Sequence, residues 1–247
     1  MAPPATRIQP GTNRLLDLLP SDEYDRMLGA LEAVPFTAKA HFARPGEPYM
    51  TIAFPATGVV SVLVPMGEEP SVEAAVIGNE GMVGLPVALG SSRGPHEVIC
   101  QVTGRGWRMP ASTFTELLPH CPALERLLQL YSLTFMNQTA RSSACNRMHG
   151  LHERLARWLL MVHDRVLGDE LVLTQEFLSE MLGVRRPSVS LAAQTRKHAG
   201  LIRYQWGRIT VLNRQALEEA VCSDYQQTVD EYEQMLGPSA MAAARPR

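Results

Sequence analysis

Residues 173–213, LTQEFLSEMLGVRRPSVSLAAQTRKHAGLIRYQWGRITVLN, constrain the fold more than any other stretch of this chain. Thr174 is a residue type that caps helix N-termini, and the apolar residues after it recur at helical spacing. Gly183 follows where a tight turn between two helices needs a positive φ. Pro187 fits the first turn of a second helix, because the amides of that turn have no partner inside the helix. These signals predict two short helices, the second of which ends at Gly200.

The segment after Gly200, LIRYQWGRITVLN, predicts two strands joined by a turn around Trp206 and Gly207. Helix, glycine turn, helix and two-stranded wing in this order indicate a winged helix-turn-helix, whose second helix begins at Arg185 or Arg186. In that motif the N-terminal residues of the second helix lie nearest the base edges of the DNA major groove.

Positive charge is concentrated in this segment. The whole chain has a net charge of -2, yet residues 173–213 hold six basic and two acidic side chains. Because basic side chains bind phosphates and arginine pairs bidentately with guanine, we predict double-stranded DNA as the partner. The alternative is a solvated basic surface on a helical hairpin. The predicted base-reading residues are Arg185, Arg186, Ser188 and Ser190, and the predicted phosphate contacts are Thr174, Gln175, Glu176, Arg196, Lys197, Arg203 and Arg208.

Residues 36–109 differ in composition: short runs rich in Val, Ile, Phe and Thr alternate with Gly and Pro. The runs FTAKAHFA, YMTIAF, GVVSVLV, VEAAVIG, EVICQV and GWRM predict an antiparallel β jelly-roll barrel. Strands and helices do not alternate here, which argues against a parallel α/β sheet. Two short helices are predicted before the strands, the second of them capped by Ser21.

A long helix is predicted over CPALERLLQLYSLTFMNQTARSSACNRMHG. One narrow seam of apolar or small residues runs along it, at Leu124, Leu128, Tyr131, Phe135, Gln138, Ser142 and Cys145. Since a small barrel cannot cover a seam of this length, we expect a homodimer joined along it.

The predicted class is therefore α+β: an N-terminal barrel, a long dimerisation helix and a C-terminal winged helix-turn-helix. The expected boundaries are a sensor barrel at residues 14–117, the dimerisation helix at 118–149, the DNA-binding domain at 150–215, and a C-terminal helix and tail at 216–247. We expect the acidic C-terminal helix to pack near the wing. The sequence shows no apolar leader and no run of about 18 apolar residues, so we predict a cytoplasmic protein without a membrane partner.

The order of barrel, long helix and winged helix-turn-helix resembles the bacterial Crp/Fnr family of transcription regulators, over about residues 14–215. The segments RPGEP, GVVSVLV, VIGNEGMVG, LTQEFLSEMLGVRRPSV and GLIRYQWGRITV carry the resemblance. It implies phosphate contacts at Thr174 and Glu176 and a base-reading role for Arg186. Pro187 and Leu191 depart from the family pattern, which implies a different operator sequence. RNA polymerase is a candidate further partner.

The ligand cassette departs further from that family. The glycine-glutamate pair of cyclic-nucleotide binders is replaced by Gly78, Asn79, Glu80 and Gly81, and the phosphate-binding arginine-serine position falls at His96 and Glu97. A glutamate beside a cyclic phosphate repels it, so the sequence argues against cyclic AMP. We retain these six residues as the candidate site for an unidentified small-molecule effector and predict no cofactor.

Other functions receive less support from the sequence. Cys145, His149 and His152 have a spacing that could ligate a metal, but Gly150 interrupts it and packing is the favoured interpretation, so no metal site is predicted. No cysteine cluster precedes Cys100, as an iron–sulfur regulator would need. The barrel region has no His-x-His pair of the cupin type, so no catalytic residues are predicted and the protein is not expected to be an enzyme. The alternative function is a small-molecule binding protein whose winged domain binds other proteins.

Overall fold

The computed structural model describes residues 13–237, which form helices and two antiparallel sheets and confirm the α+β class. The strands are β1 (Glu32–Phe36), β2 (His41–Ala43), β3 (Thr51–Met66), β4 (Glu69–Ile77), β5 (Glu97–Pro110), β6 (Glu170–Val172), β7 (Ile202–Gln205) and β8 (Arg208–Val211). The helices are α1 (Arg14–Asp17), α2 (Ser21–Leu28), α3 (Leu85–Ala88), α4 (Ala111–Leu117), α5 (Pro122–Met148), α6 (Leu151–His163), α7 (Gln175–Leu182), α8 (Arg186–His198), α9 (Arg214–Glu219) and α10 (Ser223–Leu236). Within these residues, no helix combines the length and apolar character that a membrane span requires.

The N-terminal sheet has the strand order β1-β5-β3-β4, with β2 also paired to β5. Four of the six predicted strands merge into the two long strands β3 and β5, because their ladder continues through register shifts where the sequence predicts breaks. Gly58, at φ 90°, lies at such a shift, and a Cβ there would stand 2.6 Å from the carbonyl oxygen of Val102. Among the described residues, the strands at the two ends of this order, β1 and β4, do not pair with each other. The sheet therefore curves around its core without closing.

Apolar side chains fill the inside of this curved sheet. They come from opposite strands and from the turn that precedes α3. The central members, each at most 4% exposed, are Phe36, Ala53, Val60, Ala75, Ile77, Val83, Val98 and Cys100. Burial of this kind supplies the main free energy of folding for the sheet.

The two N-terminal helices are present as predicted, although the predicted cap of α2 is wrong. Ser21 is the first residue of α2, and the cap position belongs to Pro20, which makes no side-chain capping bond. Proline can occupy this position because its fixed φ suits the entry to a helix.

The predicted dimer seam on the long helix α5 is wrong, because its residues are covered within one protomer. Leu124, Leu128, Tyr131, Gln138, Ser142 and Cys145 are all buried within the protomer and Phe135 is half-buried. Gln138 Nε2 donates to the carbonyl of Val76 in the sheet at 2.9 Å, and α10 packs along the other side of α5. The seam is covered because α10 returns to α5, which helical periodicity alone does not reveal.

The predicted position of the C-terminal helix is also wrong. The chain after the wing forms α9 and then α10, and α10 lies against α5 and α6 rather than near the wing. Arg141 of α5 bonds Glu231 of α10 through Nε at 3.1 Å, and Tyr225 Oη donates to Asp164 Oδ2 at 2.9 Å. Glu231 of α10 therefore binds a basic side chain of the same chain.

Candidate nucleic-acid interface

Thr174 caps α7 as the sequence predicts. Its Oγ1 accepts a hydrogen bond from the amide of Phe177 at 3.2 Å, while the side chain stays exposed. Because the side chains of Thr174 and Glu176 are exposed, this helix N-terminus is open to a phosphate oxygen, although the amide of Gln175 contacts the Tyr204 hydroxyl. Gln175 is half-buried and Glu176 is exposed on the same turn.

The turn between α7 and α8 depends on Gly183, which adopts φ 60° and ψ 40°. Its amide donates to the carbonyl of Glu180 at 3.1 Å, and the next amide, of Val184, donates to Ser179 at 3.0 Å. A Cβ would meet little at this position, so the left-handed backbone and not crowding explains the glycine.

The recognition helix α8 has one buried and one exposed side. Val189, Ala192 and Ala193 are at most 1% exposed and fix the helix against its neighbours. Arg185 precedes the helix as its cap residue, Arg186 begins it, and both are exposed, as are Pro187 and Ser188. The two arginines therefore project from the N-terminal end of a helix whose opposite face is anchored.

Ser190 and Gln175 lie between α7 and α8 instead of facing outward. The Ser190 hydroxyl donates to Gln175 Oε1 at 2.8 Å and lies 3.1 Å from the carbonyl of Arg186. In this conformation the pair sets the spacing of the two helices, and its hydrogen bonds are already made within the protein.

The predicted phosphate-contacting cations divide into two groups. Lys197 and Arg203 are exposed. Arg196 donates to the carbonyl of His152 at 3.0 Å, and burial lowers the pKa of its guanidinium. Arg208 pairs with Glu170 of β6. Arg196 and Arg208 thus already have partners within the same domain.

The wing carries an aromatic residue that the sequence analysis did not include among the candidate contacts. Trp206 and Gly207 connect β7 to β8 with φ 53° and 71°, the two consecutive left-handed residues of a type I′ hairpin. Trp206 is 90% exposed at the wing tip. The signal for it was present, since a tryptophan in the centre of a two-residue turn has no core to face.

The candidate ligand cassette is occupied by contacts with the C-terminal half. Glu80 Oε1 accepts from Arg165 Nε at 3.0 Å and Nη2 at 2.8 Å, and from the amide of Gly78 at 3.1 Å. A Cβ at Gly78 would clash with the Arg165 side chain, and one at Gly81 would clash with Tyr131. The glycines consequently permit close packing between this loop, α5 and the residues after α6.

The remaining cassette residues lie at different places. The carbonyl of Asn79 accepts from the amide of Arg14 at 2.8 Å, and Asn79 and Glu80 line a cavity of about 100 Å³ together with Arg14, Arg165 and Tyr232. His96 is half-buried, and Glu97 Oε1 lies 3.1 Å from His41 Nδ1.

A second contact between the halves involves Glu73 of β4. Its Oε1 accepts from the indole Nε1 of Trp158 in α6 at 2.8 Å, and its Oε2 lies 2.7 Å from the Ser61 hydroxyl. Burial raises the pKa of Glu73 from its ordinary 4.5 to about 7, against the opposing effect of these two hydrogen bonds. Neither this pair nor the Glu80–Arg165 pair could be predicted from local sequence, because the two members of each pair lie 85 positions apart.

The Cys145 and His149 side chains come together at the end of α5, but not with His152, which is exposed. Their neighbours are Cys222 and Asp224, which the sequence analysis did not connect with them.

Comparisons with known proteins agree with this geometry. Residues 153–220 match the family described as the Crp-like helix-turn-helix domain. No curated protein matches this sequence. Among solved structures, FixK2 from Bradyrhizobium japonicum is similar with a TM-score of 0.65 and 15% identity, over 78% of this chain and 98% of that one.

Two further solved structures share the fold. The regulator TTHB099 of the CRP family from Thermus thermophilus has a TM-score of 0.61 and 19% identity, over 76% of this chain and 95% of that one. The c-di-GMP responsive regulator CLP from Xanthomonas campestris has a TM-score of 0.58 and 14% identity, over 78% and 99%. At these identities the likeness is one of fold.

Proposed function

This chain carries a Crp-like helix-turn-helix domain and has the fold of Crp/Fnr transcription regulators, and we propose that it regulates transcription by binding DNA sequence-specifically. The main support for the proposal is that α8 has one buried face and one exposed face. Its inward face is anchored by Val189, Ala192 and Ala193, while Arg185 and Arg186 project freely from its N-terminal end.

In the proposed complex, the N-terminal end of α8 enters the major groove. Arg186 pairs with a guanine, a contact that discriminates between bases by roughly 1–3 kcal/mol. The Thr174 hydroxyl and the first-turn amides of α7 bind a backbone phosphate. Lys197 in the last turn of α8, Arg203 of β7 and the wing tip at Trp206 are exposed and add contacts that do not depend on sequence.

We further propose that the protein acts as a homodimer through a stripe on α5 that differs from the predicted seam. Leu133, Met136 and Met148 are 42%, 65% and 76% exposed, and Ala140 between them is exposed as well. Their spacing of three, four and eight residues places them on one helical face. Pairing along this α5 stripe would bury apolar surface that one protomer leaves in water, and would set two copies of α8 about 34 Å apart, for successive major grooves.

The two halves of the protomer are joined by the Glu80–Arg165 and Glu73–Trp158 contacts, and we propose that a signal reaches the DNA-binding domain through them. A ligand that displaces Glu80 from Arg165 would change the relative free energies of two dimer geometries. The division at residues 14–117, 118–149 and 150–215 describes the sensor, dimerisation and DNA-binding parts of this arrangement. The effector proposed here is not cyclic AMP, because Glu80 is engaged by Arg165 and Glu97 would lie beside the cyclic phosphate and repel it.

The experiment that tests the function is selection of bound duplexes from a random pool by the purified full-length protein. We expect enrichment of sites with two-fold symmetry whose half-sites are one helical turn apart. The double variant Arg185→Ala/Arg186→Ala should enrich nothing. If the wild type enriches no sequence while it binds small molecules, the alternative of a ligand-binding protein with a protein-interaction domain is favoured.

A further inference from the structure

Four potential metal ligands meet where α5 ends and α10 begins. Cys145 and His149 lie one helical turn apart at the end of α5. Cys222 occupies the cap position of α10, and Asp224 lies in its first turn. The ligand atoms of all four lie within 4.8 Å of one another, although Cys145 and Cys222 are 77 positions apart in the sequence.

Three of the six distances between these atoms match the edges of a metal-centred tetrahedron, and the other three are at most 4.8 Å. With zinc bond lengths, an S–S edge is about 3.8 Å, an N–O edge about 3.3 Å and an S–O edge about 3.5 Å. The Sγ atoms of Cys145 and Cys222 are 3.7 Å apart. His149 Nδ1 is 3.2 Å from Asp224 Oδ2, and Cys222 Sγ is 3.5 Å from the same oxygen.

Hydrogen bonding within the cluster accounts for the Cys145–Cys222 and Cys222–Asp224 contacts but not for His149. Despite its closeness to Asp224, His149 Nδ1 makes no well-aligned hydrogen bond to any residue in the described range 13–237. Both cysteines are free thiols. Two sulfurs, an imidazole nitrogen and a carboxylate oxygen thus face one another around a common point.

The two cysteines of the cluster are more deeply buried than His149 and Asp224, which suits a metal site. Cys145 and Cys222 are buried, at 0% and 7% exposure, whereas the side chains of His149 and Asp224 are 29% and 15% exposed. The sulfurs are thereby shielded from water, and the two outer ligands leave a path by which an ion can enter.

We propose that Cys145, His149, Cys222 and Asp224 form a tetrahedral binding site for Zn²⁺ or a divalent ion of similar preference. Two thiolates, one imidazole and one carboxylate are ligands that zinc accepts, and with all four positions filled by protein the site is structural rather than catalytic. As the ion binds, each thiol releases its proton to solvent and binds as a thiolate.

A metal at this place would fasten α10 to the end of α5. Its ligand His149 directly precedes Gly150, and α6 begins at Leu151. It would therefore restrain the junction from which the helix-turn-helix domain starts. The site itself does not depend on the function proposed above, because its ligands lie outside the α7–α8 surface.

The test is a titration of reduced, metal-free, full-length protein with Co²⁺, followed by absorption. We expect one ion per protomer, with thiolate-to-cobalt charge-transfer absorption and the intense visible bands of tetrahedral cobalt. Addition of Zn²⁺ should abolish both absorption signals. His149→Ala and Cys222→Ser should each weaken binding at least about 100-fold, since even loss of groups behind the ligands costs 10- to 100-fold. Cys100→Ser and Cys121→Ser remove buried thiols elsewhere and should bind Co²⁺ as the wild type does.

Because Cys145 is fully buried, its replacement also perturbs packing, and the partly exposed His149 gives the cleaner variant. Circular dichroism establishes that each variant is folded. The proposal is overturned if the reduced wild type gives no tetrahedral cobalt spectrum, or if folded His149→Ala and Cys222→Ser bind Co²⁺ as tightly as the wild type. A Cys145–Cys222 disulfide in air-oxidised protein, combined with no cobalt uptake after reduction, would also overturn it and assign the pair to redox chemistry.

Discussion

Arg165 donates two hydrogen bonds to a single oxygen of Glu80, from Nε at 3.0 Å and from Nη2 at 2.8 Å. Both side chains are less than a tenth exposed. Glu80 belongs to the loop after β4 and Arg165 to the residues after α6, so this buried ion pair joins the sheet to the helix-turn-helix half of the chain.

Removal of Glu80 should destabilise the protein strongly, because it leaves the buried Arg165 charge without its carboxylate partner. We expect Glu80→Ala to lower the free energy of unfolding by about 3–5 kcal/mol. Glu32→Ala breaks an exposed ion pair with Arg108 and should cost less than about 1 kcal/mol. Denaturant unfolding of both variants measures the difference, and equal small losses would show that the Glu80–Arg165 pair contributes no more than a surface pair.

Glu73 should make stability fall as the pH rises. Burial raises its pKa from 4.5 to about 7, so between these values the unfolded chain ionises while the folded protein keeps the proton. In this range the folded protein binds more protons than the unfolded chain. The free energy of unfolding is therefore highest below pH 4.5 and falls by up to about 3 kcal/mol as the pH rises through 7. The protonated acid also completes a hydrogen-bond chain, since it can donate to Ser61, whose hydroxyl then donates to Gln101 Oε1 at 2.8 Å.

Glu73→Gln tests this dependence, because the amide imitates the protonated acid and does not titrate. The unfolding free energy of the wild type should decline between pH 4.5 and 7. The variant should lack the part of this decline that Glu73 causes. Glu47→Gln, at an exposed position, should keep the wild-type profile. A Glu73→Gln profile that parallels the wild type would assign the pH dependence to other groups.

Charges introduced into the α5 stripe should separate the proposed dimer. Leu133→Glu/Met136→Glu places two carboxylates where the pairing surface would be dehydrated, which is costly without a partner. Sedimentation should give a dimer for the wild type and a folded monomer for this variant. Met50→Glu/Leu89→Glu alters apolar residues of 74% and 64% exposure elsewhere and should leave the dimer intact. A dimer that survives the first change must use another surface.

The elements that the sequence predicted well are those with local signals. Thr174, Gly183 and Pro187 act on their own turn of chain, and each has the role that its residue type indicates. The family match at residues 153–220 and the shared fold agree with that interpretation. Local chemistry could not predict which elements meet after folding.

The errors arose where distant segments meet. Periodicity found the stripe at Leu128 and Gln138 but could not tell that α10 and the sheet cover it, and so it predicted a dimer seam that one protomer buries by itself. The spacing of Cys145 and His149 was visible, whereas Cys222 reaches them only through the fold of α10. Arg165 had no periodic or motif signal, because its partner Glu80 lies in the other half of the chain.

The affinity for the selected duplex, measured by fluorescence anisotropy, tests whether the exposed N-terminal end of α8 reads DNA. Arg186→Ala, verified as folded and dimeric, should weaken binding by about 10- to 100-fold, because a bidentate pair with guanine is lost. The matched variant Arg108→Ala removes an exposed arginine on the opposite domain and should bind as the wild type does. If Arg186→Ala and Arg108→Ala bind the duplex equally tightly, this face of α8 does not read the bases and the account is contradicted.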